Sequence, residues 1–121
     1  MAKETDYSAL VYELTNIDSV EGVVVWRLGE LPVSNWKKDK YSHATAGMLS
    51  ALTGNLEKGV EDLGLGNIDQ LWWQSESFQC VGFRVSDLQI LVVASRASTV
   101  AELRTEVASR VDSVWPVLHN D

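Results

Sequence analysis

The sequence predicts a single α/β domain of the α+β type, with a five-stranded antiparallel sheet between one long helix and two terminal helices. Three observations lead to this fold. Apolar residues recur at helical spacing at both ends and in the middle of the chain, β-branched runs lie between them, and only short turns separate the strands. A chain of 121 residues has the length of one typical domain. We therefore expect one domain over residues 1–121, with an ordered core from about 6 to 118 and the element order αββαβββα.

The first third of the chain predicts a helix followed by a hairpin. Asp6 is a suitable N-cap. The helix then carries apolar residues at helical spacing: Tyr7, Leu10, Leu14 and Ile17. The stretch 18–22 indicates a turn, and the continuous β-branched run 23–28 predicts a strand that is covered on both faces. The returning strand, 31–36, should lie at a sheet edge, because Pro32 has no N–H to donate.

A long helix is predicted from about Lys40 to Leu63, and it carries two stripes at ~100° per residue. We expect the larger residues to face the sheet: Thr45, Leu49, Leu52, Leu56, Val60 and Leu63. The second stripe consists of very small residues: Ala44, Gly47, Ala51 and Gly54. We expect four polar residues to face water: His43, Ser50, Glu57 and Glu61.

The small-residue stripe predicts contact with another chain. Glycine inside a helix costs about 1 kcal/mol relative to alanine, so we expect a compensating interaction at these positions. Small side chains let another backbone approach closely, and the same helix of a second copy is the simplest partner.

The last third of the chain predicts a meander and a closing helix. Gly64 and Gly66 end the long helix. Three strands follow, separated by short breaks: 68–75, 77–85 and 88–95. Thr99 and Glu102 have the spacing of a capping box at the start of the last helix, which should weaken near Pro116.

Trp72 and Trp73 are adjacent in the first meander strand, so their side chains should lie on opposite faces of the sheet. Tryptophan is favoured at interfaces between proteins. Together with the long helix, these residues complete the predicted dimer interface: Ala44, Gly47, Met48, Ala51, Gly54, Trp72 and Trp73.

The sequence shows no convergent set of catalytic groups. The two histidines, His43 and His119, lack partners at metal-ligand spacing. Cys80 falls in a buried strand, where a free cysteine acts as a small apolar residue. The glycine-rich stretch 59–66 follows a helix and precedes a strand, the reverse of a phosphate-binding loop. We predict that the protein is not an enzyme, with no catalytic, metal-binding or cofactor-binding residues and no cofactor.

The charge balance argues against nucleic acid as a partner. The chain has 17 Asp and Glu residues against 10 Lys and Arg residues, a net charge of −7, whereas phosphate binding needs a basic face. The short cluster of Lys37, Lys38 and Lys40 is interpreted as a solvated loop. No apolar run approaches the ~20 residues that span a bilayer, and the N-terminus does not have the layout of a signal peptide. We expect a cytoplasmic protein that binds neither nucleic acid nor membrane.

The segment 14–25 combines a helix end, a short I-x-x-V-x-G turn that begins at Ile17, and an apolar strand. This pattern resembles the opening of a Roadblock/dynein light chain domain of the prokaryotic type that associates with small GTPases. The resemblance extends from about Asp6 to Leu118 through the hairpin, the long helix rich in small residues, the glycine break, the meander and the closing helix. Longin-like domains share a related layout and are the alternative at the level of fold.

The resemblance implies a homodimer in which the long helix and the first meander strand meet their counterparts. It further implies a non-catalytic interaction module that regulates or scaffolds a small Ras-like GTPase by binding and positioning the groups of the GTPase itself. The alternative is an adaptor or structural subunit of a larger complex without a GTPase partner. A third hypothesis is a small-ligand sensor or enzyme, which a ligand retained through purification would support.

Overall fold

The computed structural model of the protein describes residues 7–27, 29–38, 43–85 and 87–119; the side chains of 43, 44 and 115–119 are not included. The predicted order αββαβββα is confirmed. The helices are α1 (Ser8–Thr15), α2 (His43–Asp62) and α3 (Val100–His119). The strands are β1 (Val20–Arg27), β2 (Val33–Trp36), β3 (Gln70–Gln74), β4 (Phe78–Val85) and β5 (Leu88–Ser95). None of the described helices is long and apolar enough to cross a bilayer.

The five strands form one sheet in the order β2-β1-β5-β4-β3, and all neighbours are antiparallel. β2 lies at an edge, as Pro32 predicts, and β3 forms the other edge. β1 begins earlier than the sequence indicates. Val20 already pairs with Ala94 of β5, so the predicted turn over 18–22 was wrong beyond Ser19.

Helices cover both faces of the sheet, but they cover them unequally. α1 and α3 pack on one face against alternate residues of β1 and β5, such as Val23 and Val92, in the larger core cluster. α2 lies on the other face, above a small cluster that includes Val24, Trp26 and Cys80. β1 is therefore covered on both faces, as predicted.

The ends of the terminal helices differ in part from expectation. The predicted N-cap, Asp6, lies outside the described residues. Thr99 and Glu102 form the predicted capping box: the Thr99 N–H donates to Glu102 Oε1 at 2.8 Å, and the Glu102 N–H donates to Thr99 Oγ1 at 3.1 Å. The helix continues through Pro116 to His119, so the missing N–H of the proline does not end it.

Lys37 has a structural role that the solvated-loop interpretation missed. Its ammonium group donates to the carbonyl oxygens of Ile17 and Asp18 at 2.9 and 3.0 Å, and it thereby holds the turn between α1 and β1. Lys38 is exposed, and Lys40 lies outside the described residues.

Candidate protein-interaction surface

The face of α2 that meets the sheet carries small and polar side chains beside Leu49. Ala46 is only 1% exposed and packs with Val24, Trp26 and Cys80. Thr53, two helical turns later on the same face, is half-buried. Small side chains on this face let the helix axis lie close to the strands.

The stripe predicted to face the sheet does so only in part. Leu49 packs against the cluster beneath α2, and Thr45 and Val60 are half-buried, but the other three leucines are exposed, so the prediction was wrong for them. Leu52 and Leu63 are 62% and 74% exposed, and Leu56 is also exposed. Leu56 lies ten residues after Ala46, which places it ~80° around the helix from the residue that contacts the sheet. The leucines therefore form a flank of α2 rather than its base, with Leu49 half-buried at the boundary.

Glu57 was predicted to face water, and the structure places it against the sheet instead. Its Oε2 atom forms an ion pair with Nη2 of Arg84, on β4, at 2.8 Å, and both side chains are about three-quarters buried. This pair joins the middle of α2 to a strand 27 residues further along the chain. Ser50 is also half-buried and donates to the Gly47 carbonyl, whereas Glu61 is exposed as predicted.

The leucine flank of α2 borders the edge strand β3. Leu52 and Leu56 line a narrow apolar groove together with Leu71 and Trp73 of that strand. Trp73 pairs with Cys80 in the register of β3 and β4, which places it on the α2 side of the sheet. Helix and strand thus present one continuous apolar surface at this edge.

The two adjacent tryptophans lie on opposite faces, as predicted. Trp72 pairs with Val81, which belongs to the core cluster beneath α1 and α3. Its indole N–H donates to Oε1 of the buried Gln79 at 3.2 Å. The side chains of Trp72 and Trp73 remain 47% and 40% exposed. The described part of β3 has a strand neighbour on one side only.

The small-residue stripe is open to solvent. A Cβ atom placed on Gly47 or Gly54 would have no neighbour within 4 Å, and Ala51 is exposed. Met48 is exposed next to Ala51 on the outer side of α2. Ala44 lies in the helix, but its side chain is outside the described residues.

The structure brings together only part of the predicted interface. Met48 and Leu52 are one turn apart and neighbours on the outer side of α2, continuous with Trp73 through the leucine flank. Gly54 lies two residues before Leu56, and the two are therefore ~160° apart around the axis. The glycine side of α2 thus points away from Trp73. Sequence reasoning missed the exposed leucines as candidate interface residues because it assigned them to the core.

The described residues show no arrangement suited to catalysis by cysteine or by a metal. Burial raises the pKa of the Cys80 thiol to about 12, which keeps it protonated and unreactive at neutral pH. Within the described ranges, His, Cys, Asp and Glu residues form no group of three or more that could hold a metal ion. The side chains of His43 and His119 lie outside those ranges.

Comparisons with known proteins address the fold. The sequence matches no protein-family model and no curated protein. Among solved structures, it is similar to a Roadblock/LC7 domain from Streptomyces avermitilis, with a TM-score of 0.70, 21% identity and coverage of 90% of this chain and 94% of that one. It is also similar to Myxococcus xanthus MglB, with a TM-score of 0.78, 9% identity and coverage of 99% and 95%. A gliding protein MglB from Thermus thermophilus gives a TM-score of 0.70 at 6% identity, with coverage of 100% and 96%. The chain therefore has the Roadblock/LC7 fold.

Proposed function

We propose that this protein is a non-catalytic, homodimeric interaction module that regulates or scaffolds a small Ras-like GTPase. The observation that carries the proposal is the continuous exposed apolar surface of α2 and β3, which is centred on Met48, Leu52, Leu56 and Trp73. We call it the α2–β3 surface. Soluble monomers rarely leave a large contiguous apolar patch uncovered, so this surface calls for a partner.

A second copy of the chain fits the α2–β3 surface well. β3 is an edge strand, and an edge strand offers unpaired backbone groups that another strand can complete. A two-fold axis beside β3 would pair this strand with its counterpart and bring the two α2 helices together. The exposed Ala51, beside Met48, would let the helices approach closely. This arrangement includes the predicted interface residues that face outwards and adds Leu52 and Leu56.

The GTPase part of the proposal is supported by the Roadblock resemblance together with the fold. In this interpretation the dimer holds the GTPase and positions that enzyme's own catalytic groups. The similar solved structures named MglB support a protein-binding role by analogy of fold.

The dimer is tested by light scattering coupled to size-exclusion chromatography. We expect the wild type to elute at about twice the 13.4 kDa of one chain, and Leu52→Glu to elute as a monomer because the dimer would bury two carboxylates next to each other. Ala108→Glu, on an exposed face of α3, is the matched control and should remain dimeric. A wild type that is monomeric at micromolar concentration would contradict the proposal. Ala51→Glu, measured in parallel, tests whether the small residues belong to the interface.

The GTPase partner is tested separately. Small GTPases encoded beside this gene are loaded with GDP or a non-hydrolysable GTP analogue and are captured with the immobilised wild-type protein. We expect one nucleotide state to bind preferentially and the rate of GTP hydrolysis to change. Absence of binding in both states would refute the GTPase role and leave the dimer untouched, whereas stable co-purification with a different protein would favour an adaptor subunit.

A further inference from the structure

A second concave surface lies on the opposite side of the sheet from the α2–β3 surface. It is a groove of about 780 Å³ between the turn that connects α1 to β1 and the first three turns of α3. Ligand-binding clefts in proteins have volumes of ~300–1,000 Å³, so this groove is large enough to hold a ligand or a chain segment. We call it the α1–α3 groove.

Both walls of the groove carry carboxylates. Asp18 lies on the turn, and Glu102 and Glu106 lie one turn apart on α3. Arg110, the cation among the lining residues, already forms ion pairs with the carboxylates of Glu13 at 3.2 Å and Glu106 at 3.6 Å. Arg110 is thus shared between two carboxylates, and the residues that line the groove carry three carboxylates against one cation.

The start of α3 does not make the groove an anion site. A free helix N-terminus attracts anions through its unpaired N–H groups. Here the Thr99 hydroxyl accepts from the Glu102 N–H, and the Glu102 carboxylate occupies the same end of the helix. Those hydrogen bonds lower the pKa of Glu102, so its carboxylate stays charged at neutral pH. A cation is the complementary ligand.

The floor and rim of the groove suit a chain segment more than a small ion. Ile17 and Leu103 form an apolar floor and are almost fully buried, whereas Ala97 and Ala101 are small and exposed at the rim. Hydroxyl groups line the same end, where Ser98 Oγ donates to Ser19 Oγ at 2.7 Å. An extended segment with both apolar and cationic side chains matches these features better than an isolated cation.

We propose that the α1–α3 groove binds a lysine- or arginine-bearing segment of a partner protein. The cationic side chains of the segment lie between Asp18 and the carboxylates of Glu102 and Glu106, and its small apolar side chains contact the exposed Ala97 and Ala101. Because the groove is formed on the α1 and α3 side of the sheet, a dimer formed through the α2–β3 surface leaves it open. The interaction is thus independent of dimer formation.

The experiment uses the full-length, ¹⁵N-labelled protein at physiological salt and a ten-residue peptide of alternating lysine and alanine as the probe. We expect saturable chemical-shift changes that are confined to residues 16–19 and 97–110. Glu102→Gln/Glu106→Gln should weaken binding by about five- to tenfold, because exposed ion pairs each contribute modestly. Glutamine also serves in a capping box, so this variant should keep the start of α3 intact.

Two comparisons make the test specific. Glu61→Gln/Asp62→Asn removes the same charge from the exposed end of α2 and should leave peptide affinity within about twofold of the wild type. Spermine, a polycation without apolar side chains to contact Ala97 and Ala101, should bind at least about tenfold more weakly than the peptide. The proposal is overturned if the shift changes spread over all acidic surfaces, if the α2 control weakens binding as much, if spermine binds equally well, or if the peptide does not bind at millimolar concentration. Light scattering on the same samples reports the dimer separately.

Discussion

Gly22→Ala tests how α2 is seated on the sheet. Gly22 pairs with Trp36 across the strands β1 and β2, and the indole ring lies directly over the glycine. A Cβ atom on Gly22 would lie 2.0 Å from Cε3 and 2.3 Å from Cζ3 of that ring. Because carbon atoms prefer separations of ~3.5–4.0 Å, the ring would have to move by ~1.5 Å or more. Trp36 packs against the cluster that contains Ala46, so the displacement would reach the base of α2.

The expected loss follows from overpacking. Inserting a methyl group into a packed site typically costs ~1–3 kcal/mol. Replacing glycine by alanine also lowers the conformational entropy of the unfolded chain, which offsets ~0.4–1 kcal/mol of that cost. We therefore expect Gly22→Ala to lower the free energy of unfolding by about 1–2 kcal/mol, which corresponds to a fall in Tm of ~3–10 °C for a chain of this length. Urea unfolding measures this change in the free energy of unfolding. Both proteins are compared at the same concentration, because self-association would change the apparent stability.

A second strand glycine provides the matched control. A Cβ atom on Gly82 would lie 3.3 Å from a methyl group of Leu91, so that side chain would have to move by only a few tenths of an ångström. Gly82→Ala should therefore change the free energy of unfolding by clearly less than Gly22→Ala does. In the double variant Gly22→Ala/Trp36→Leu the loss should be smaller than the sum of the single losses. Equal losses at both glycines, or no loss at Gly22, would refute the reasoning.

Cys80, the ion pair of Arg84 with Glu57, and Glu102 each lead to a further prediction. Cys80 should not react with a thiol reagent at pH 8 in the folded protein and should react fully in urea, because burial raises the pKa of its thiol; rapid labelling of the folded protein would contradict this. Arg84→Ala should lower the free energy of unfolding in urea by about 1 kcal/mol, and by less in a Glu57→Gln background, because it removes the partner of a carboxylate that is about three-quarters buried. The pKa of Glu102 is lowered in the folded protein. The stability that its carboxylate provides is therefore fully present at pH values above the ordinary pKa of a glutamate, and it is lost as the pH falls through the folded-state pKa. Glu102→Gln should therefore reduce the fall in Tm on acidification. A variant whose Tm depends on pH as that of the wild type does would contradict this prediction.

The order of the elements could be predicted because each element has a local signature. Pro32 indicated the edge strand, Thr99 and Glu102 indicated the start of α3, and the continuous β-branched run indicated a strand covered on both faces. These signals depend on neighbours in the sequence, so they need no knowledge of the tertiary structure.

The rotation of α2 could not be predicted in the same way. The helix carries two apolar stripes, and hydrophobicity alone favours the larger one as the buried face. The face of α2 that meets the sheet is set by Ala46 and Thr53, whose small side chains let the helix approach the strands. It is also set by Glu57, whose partner Arg84 is distant in the sequence. The contact of the Lys37 ammonium group was missed for the same reason, since both carbonyls that it binds lie about 20 residues earlier, in the turn between α1 and β1.

The pairing of β1 with β5, the central strand of the sheet, has a consequence for folding kinetics. β1 pairs with β5, so the register of the sheet joins residues about 60 to 75 positions apart, such as Val20 with Ala94. The N-terminal hairpin and the C-terminal meander each form from local contacts, but their joining must close the long loop that contains α2. The pairing of β1 with β5 is therefore expected to be the rate-limiting step of folding. We expect a folding rate typical of a mixed α and β domain, which is slower than that of a helical bundle.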